Sequence, residues 1–306
     1  MIVFATSDKG GTGRSVTSSN ILFRTALQGV DVCYVDFDFG SPTSGAIFGV
    51  DVIRSGTTTE RGVHSYLQGK VTDPEFYDLW TASDRQSMRA RPPGAGRMVL
   101  LPGDAGGGEF PITPPMLEQC RKLFLRLEEE FEVSFVDLSA GRSYATQMAL
   151  AVTGGPDPVA KLSRWLVFHR WTHQHVVAAG ALVYGERGIL DTGVKLGHDR
   201  EDLLDRLRFV RTATIDPNAP DLAGLRPAQL AWLRERHQEL LTLAREQRVG
   251  RGMLLGSVPL DPVFQWHEQI LTNSDLYAKG VANPATIEAL EELARNVRDV
   301  SAWERL

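Results

Sequence analysis

The chain has 306 residues, of which 42% are hydrophobic and 23% charged, and its formal net charge is −5 at pH 7. Such a composition is that of an ordinary globular protein with ample length for a buried core, and its negative balance makes no global electrostatic case for nucleic acid or an anionic membrane. The two cysteines, Cys33 and Cys120, lack CxxC spacing, which argues against a disulfide frame or a cysteine metal site.

Residues 2–6, Ile-Val-Phe-Ala-Thr, predict a first strand. Ser7-Asp8-Lys9-Gly10-Gly11-Thr12-Gly13-Arg14-Ser15 follows directly. A helix is predicted over about residues 14–28, closed by Gly29. Strand, glycine loop and helix together are the context in which a phosphate loop is credible. Glycines remove Cβ atoms, so consecutive N–H groups can curl around phosphate oxygens. The helix N-terminus points its free N–H groups at the same anion. Ser15 stands where a P-loop places its Mg²⁺-binding hydroxyl, but Arg14 stands where the usual lysine would be. Arginine keeps the charge yet is longer and planar, so the exchange is not conservative.

A second strand is predicted over residues 32–38, ending in Asp36 and Asp38, in a right-handed parallel βαβ unit. Residues 40–45 read as a mobile loop, and residues 62–69 as a short helix. Residues 85–96 read as an exposed loop carrying three arginines, and residues 103–108 as a flexible glycine-rich connector. Further strands are predicted over 98–102, 131–138, 165–168, 207–212 and 253–261, and helices over 114–130, 176–184, 227–247 and 285–300. The 227–247 helix sets Leu230, Leu233, His237, Leu240, Leu241 and Ala244 on one side, which reads as a cover for the sheet or as a partner-binding insertion. His169, His173 and His175 straddle a strand end and a helix start without a carboxylate or cysteine, which favours packing or a loop over metal binding. Asp36 can serve structurally, by hydrogen-bonding loops.

These stretches resemble the MinD/ParA family of deviant Walker-A ATPases. Lys9-Gly10-Gly11-Thr12-Gly13-Arg14-Ser15 resembles K-G-G-x-G-K-[ST], and Val35-Asp36-Phe37-Asp38 resembles the VDxD switch I strand. Val136-Asp137-Leu138-Ser139-Ala140-Gly141 resembles the Walker B and switch II signature hhDxPAG, with Ser139 in place of proline. Gly256-Ser257-Val258-Pro259-Leu260-Asp261 resembles the late G-x-[IV]-P-x-D segment. The resemblance spans nearly the whole chain and looks closest to an actinobacterial branch with a variant P-loop.

The resemblance implies a single doubly wound, mostly parallel sheet flanked by helices over residues 1–306, with a helical insertion at about 217–250. It implies ATP and Mg²⁺ as ligands. Lys9 would be the signature lysine that reaches a partner's nucleotide across an ATP-dependent homodimer. Gly10, Gly11, Thr12, Gly13, Arg14, Ser15 and Val16 would cradle phosphate. Ser15, Asp38 and Asp137 would hold the metal, with Asp38 orienting the attacking water. Pro259 and Asp261 would border the base, with Arg211 near it. The function so implied is an ATP-dependent dimerisation switch with slow hydrolysis, serving positioning, partitioning or regulation. The alternative is a nucleotide-binding regulator or scaffold that Arg14 has deprived of turnover. A protein partner or cargo is expected. DNA binding has no charge signature, and residues 296–306 lack the lysine-rich face of a membrane-surface helix. The chain opens at once on its first strand, and no apolar run reaches the ~20 residues that span a bilayer, so the cytoplasm is the expected compartment.

Overall fold

The computed structural model describes residues 1–155, 163–219, 222 and 224–304. Eight strands form one sheet: β1 (Ile2–Thr6), β2 (Val32–Phe37), β3 (Tyr77–Asp78), β4 (Met98–Leu101), β5 (Val133–Leu138), β6 (Ser163–Arg170), β7 (Leu207–Thr214) and β8 (Leu254–Pro259). Their order is β3-β4-β2-β5-β1-β6-β7-β8, and every pairing is parallel except β3 with β4. The order reverses at β1, so the loop after β1 opens at the topological switch point, where open α/β sheets bind ligands.

Period-two alternation along β1 divides the core. Ile2 and Phe4 face one layer, which includes Phe124 of α5 (Pro114–Glu130), Ala149 of α6 (Tyr144–Thr153) and Leu182 of α7 (His173–Tyr184). Val3 and Ala5 face the other, which includes Ile21 of α1 (Arg14–Leu27) and Leu290 of α12 (Pro284–Asn296). With both faces covered, the central strands read as near-continuous apolar runs.

Helix α1 is buried although it is rich in serine and threonine. Several of its polar groups are paired with the segment after β8, whereas Ser19 Oγ and Arg24 Nε have no hydrogen-bond partner among the described residues. Asn20 donates to Gln269 O at 2.9 Å and accepts from Leu271 N at 2.8 Å, and Arg24 Nη2 donates to Leu271 O at 2.7 Å. The segment after β8 therefore clamps the helix that follows the glycine loop.

Three expectations need correction, and a fourth holds with an addition. Residues 44–48 form α2 (Ser44–Phe48) rather than a mobile loop, and a Cβ on Gly45 would strike the Ile53 carbonyl. The 85–96 segment is exposed over most of its length, as expected, but it is anchored: Met88 is buried, and Arg85 donates to Ile270 O at 2.7 Å and to Asp275 at 3.1 Å. The 103–108 connector is pinned, because the Asp104 carboxylate accepts from Gly62 N, Ser65 N and Ser65 Oγ. Helix α6 follows β5 where no helix was predicted; Ser143 caps it by accepting from Thr146 N.

Helix α10 (Pro227–Glu246) lies between β7 and β8 and packs on α7. Its apolar side is partly buried as far as Ala244, while Trp232 on the same helix is 57% exposed. Of the insertion expected at about 217–250, residues 220, 221 and 223 lie outside the described residues, as do residues 305 and 306 of the chain end. Among the described residues no helix is long and apolar enough to cross a membrane.

Candidate nucleotide site

Three short connections hold the loop between β1 and α1. Ser7 O accepts from Gly141 N at 2.7 Å, Asp8 accepts from Arg142 Nη1 at 3.1 Å, and Thr12 O accepts from Thr212 Oγ1 at 2.5 Å. Gly11 and Gly13 have φ of 71° and 75°, in the left-handed region where glycine carries no Cβ penalty. Gly13 is the N-cap of α1 and supplies no side-chain acceptor, so the first helical turn keeps its donors for another partner. Lys9, Gly10 and Gly11 are exposed.

On the β2–β5 side of this loop lies a charged cluster. Adjacent parallel strands put Asp36 opposite Asp137 in register, with Asp38 just beyond the end of β2. Arg14, the first residue of α1, points among them. Its Nε donates to Asp137 Oδ1 at 2.5 Å, and its Nη2 donates to Asp38 Oδ2 at 3.0 Å and to Ser15 Oγ at 3.2 Å. Arg14 is 6% exposed and Asp137 2%. Burial alone would weaken the guanidinium's hold on its proton, but Asp137 and Asp38 outweigh burial and raise its pKa. It stays charged at any working pH. Asp36 touches no cation here. Its carboxylate accepts from Ser44 N at 3.0 Å and Asp38 N at 3.3 Å, and burial pushes it up to about 7. Ser139 also organises this side, accepting from Phe39 N at 2.9 Å through its hydroxyl, a contact that proline could not make.

The oxygens expected to hold Mg²⁺ are thus the ones that accept from Arg14. Mg²⁺ requires oxygen ligands at about 2.0–2.1 Å in near-octahedral array. With the guanidinium between Ser15, Asp38 and Asp137, the residues present do not fit the ion. Among the described residues, no group of three or more His, Cys, Asp and Glu side chains is placed to bind a metal. The three histidines are dispersed likewise. His169 is buried in β6 with Nδ1 3.2 Å from Arg170 O, and His175 Nδ1 lies 2.8 Å from Thr172 Oγ1.

On the other side of β1 the loop opens onto a cleft of about 240 Å³. Gly11, Thr12, Gly13 and Val16 form one wall, Pro259 and Asp261 another. Asp261 is buried, and both its oxygens are engaged: it accepts from Val263 N at 3.0 Å and Asn283 N at 3.1 Å. Its carboxylate shapes the loop. Arg211 does not line the cleft. It lies 4.0 Å from the Trp171 ring centroid and reaches Val249 O at 3.4 Å, and burial lowers its pKa to about 10. Thr212 lines the cleft in its place, because successive strand residues point to opposite faces. Arg170 lines it too and had not been expected; the predicted strand stopped at 168, whereas β6 runs on to Arg170. Burial, followed by the nearby charges of Arg170 and Lys9, lowers the pKa of His175.

No family model matches the chain. The septum site-determining protein MinD of Bacillus subtilis (strain 168) is 26% identical over 141 residues, 45% of this chain and 45% of that protein. The match thus spans less than half the length of this curated relative. Solved structures resemble the chain over nearly its full length. The MinD cell division protein of Aquifex aeolicus superposes with a TM-score of 0.56 at 15% identity, covering 96% of this chain and 95% of that one. A plasmid partition protein from Borrelia burgdorferi B31, solved bound to AMPPNP, gives 0.60 at 12% identity and 96% of each chain. The fold is that of MinD/ParA-type P-loop proteins. In this fold, the loop at residues 9–15, Asp38, Asp137 and the strand end at Pro259 all gather at one edge of the sheet, and Arg14 stands where the resemblance has lysine.

Proposed function

We propose that this chain is a nucleotide-binding switch of MinD/ParA type, whose association with a second copy depends on ATP and whose hydrolysis is slow. The observation that carries the reading is the left-handed glycine loop at the N-terminus of α1, opening onto a cleft walled by the loop after β8. Backbone donors at the helix start suit phosphate oxygens. Thr212, Val16 and Pro259 offer the mixed surface that a base and ribose need. Exposed Lys9 is available to a second protomer. Residues 1–306 act as one nucleotide-binding unit, with α10 as an added helix on its side.

Phosphoryl transfer needs positioning and charge neutralisation rather than covalent chemistry. Asp38 is the carboxylate nearest the loop that could orient a water, and Arg14 holds it. That contact also favours a second reading, a regulator that binds nucleotide without turning it over. Both predict binding, and they part on turnover. Isothermal titration with ATP tests the shared claim: no heat of binding under any buffer condition would reject both readings. Phosphate release measured on the native chain and on Asp38→Ala then separates them. Slow release abolished by the substitution supports the switch; no release from either supports the regulator.

A further inference from the structure

We propose that the Arg14 guanidinium is the resident cation of this site, standing where relatives would use a divalent metal, so that the chain binds a nucleoside triphosphate without Mg²⁺. The proposal rests on the nucleotide reading above and concerns how that site balances charge.

Three observations carry it. First, one side chain meets all three expected metal ligands: Asp137 at 2.5 Å, Asp38 at 3.0 Å and Ser15 at 3.2 Å. The guanidinium is planar with fixed donors and matches two carboxylates as a compact ion does not. Second, the contact is built and buried. Arg14 and Asp137 are nearly sealed from water, and adjacent strands hold Asp137 and Asp38 in place. Removing the guanidinium would leave the Asp137 carboxylate buried and without its cation, a costly arrangement. Third, the cleft has cations of its own. Arg170 lines it, and among the described residues no carboxylate pairs with it. Lys9, two residues before Gly11 of the cleft wall, is exposed. Arg14 neutralises the carboxylates, while Arg170 and Lys9 face the incoming triphosphate. The work of one metal ion, bridging carboxylates and phosphates, is thereby divided among three fixed side chains.

The decisive measurement needs no variant. ATP is titrated into the full chain by calorimetry, once in EDTA and once with excess Mg²⁺. The expected dissociation constants agree within about threefold. A weakening of about tenfold or more in EDTA overturns the proposal while leaving the nucleotide reading intact. Absence of binding in both buffers rejects the nucleotide reading and the proposal with it. Arg14→Lys is the companion test. The shorter side chain releases at least one carboxylate, and ATP binding by this variant is expected to become about tenfold weaker in EDTA than in Mg²⁺. If the folded variant stays indifferent to the metal, Arg14 is not the group responsible. Arg170→Ala should weaken binding in both buffers alike; a loss confined to EDTA or to Mg²⁺ contradicts the division of labour.

Discussion

The two sides of β1 handle charge in opposite ways. Toward β2 and β5, the strand ends carry Asp36, Asp38 and Asp137, and Arg14 is buried among them with its charge reinforced. Toward β6, β7 and β8, burial depresses the pKa values of His169 and Arg211, and buried Asp261 accepts only from backbone N–H groups. One side therefore holds a permanent ion cluster, and the other sets Arg170, Asp261 and Glu268 around an open cleft with no ion pair among them. The phosphate loop lies on the seam. Its Thr12 and Gly13 face the cleft, while Arg14, the very next residue, turns into the cluster.

The comparison breaks first at the cluster. Asp137→Ala leaves Arg14 buried with only Asp38 to balance it, and we expect a loss of about 3–5 kcal/mol in urea unfolding. Asp38→Ala, at the more exposed end of the same pair, should cost clearly less. Equal losses would mean that the cluster is not graded by burial.

The opposite side is sharpened by pH. Burial first of all lowers the His169 pKa to about 4, and its Nε2 lacks a hydrogen-bond partner among the described residues. Free histidine titrates near 6.5, so below that pH the unfolded chain takes up a proton that the folded chain refuses. Stability contributed by neutral His169 is present above about pH 6.5 and falls away as the pH drops toward 4, by on the order of 3 kcal/mol in all. His169→Gln should flatten that part of the profile relative to the parent chain. Parallel profiles would show that the imidazole is not held neutral. Arg14 contributes no such slope in this window, because its pKa moves upward from an already high value.

The charged side was the more legible in sequence. Asp38 and Asp137 follow apolar strands, and parallel pairing brings strand ends together wherever the residues between them fall. What Arg14 does there was not legible, since its partners lie 24 and 123 positions away and a local pattern carries no such distance. On the cleft side the error was one of phase. Arg211 and Thr212 alternate across β7, and a shift of one residue exchanges a buried cation for a hydroxyl at the site. Helix α6 escaped because Ala-Thr-Gln-Met-Ala-Leu-Ala-Val is apolar on most sides, which blurs the helical period.

The smallest expected effect lies on the seam itself. Thr212 Oγ1 donates to Thr12 O at 2.5 Å and lies 3.3 Å from His169 O, so one hydroxyl joins β7 to the phosphate loop. Thr212→Val keeps the shape, removes the donor and leaves a buried carbonyl short of a partner. The cost should be about 1 kcal/mol, well below that of Asp137→Ala. Hydrogen exchange at Gly11, Thr12 and Gly13 should rise while exchange across β2 and β5 stays unchanged, because the cluster side has its own ion pairs. If the loosening spreads to β5, the two sides of β1 are coupled through the loop rather than built independently.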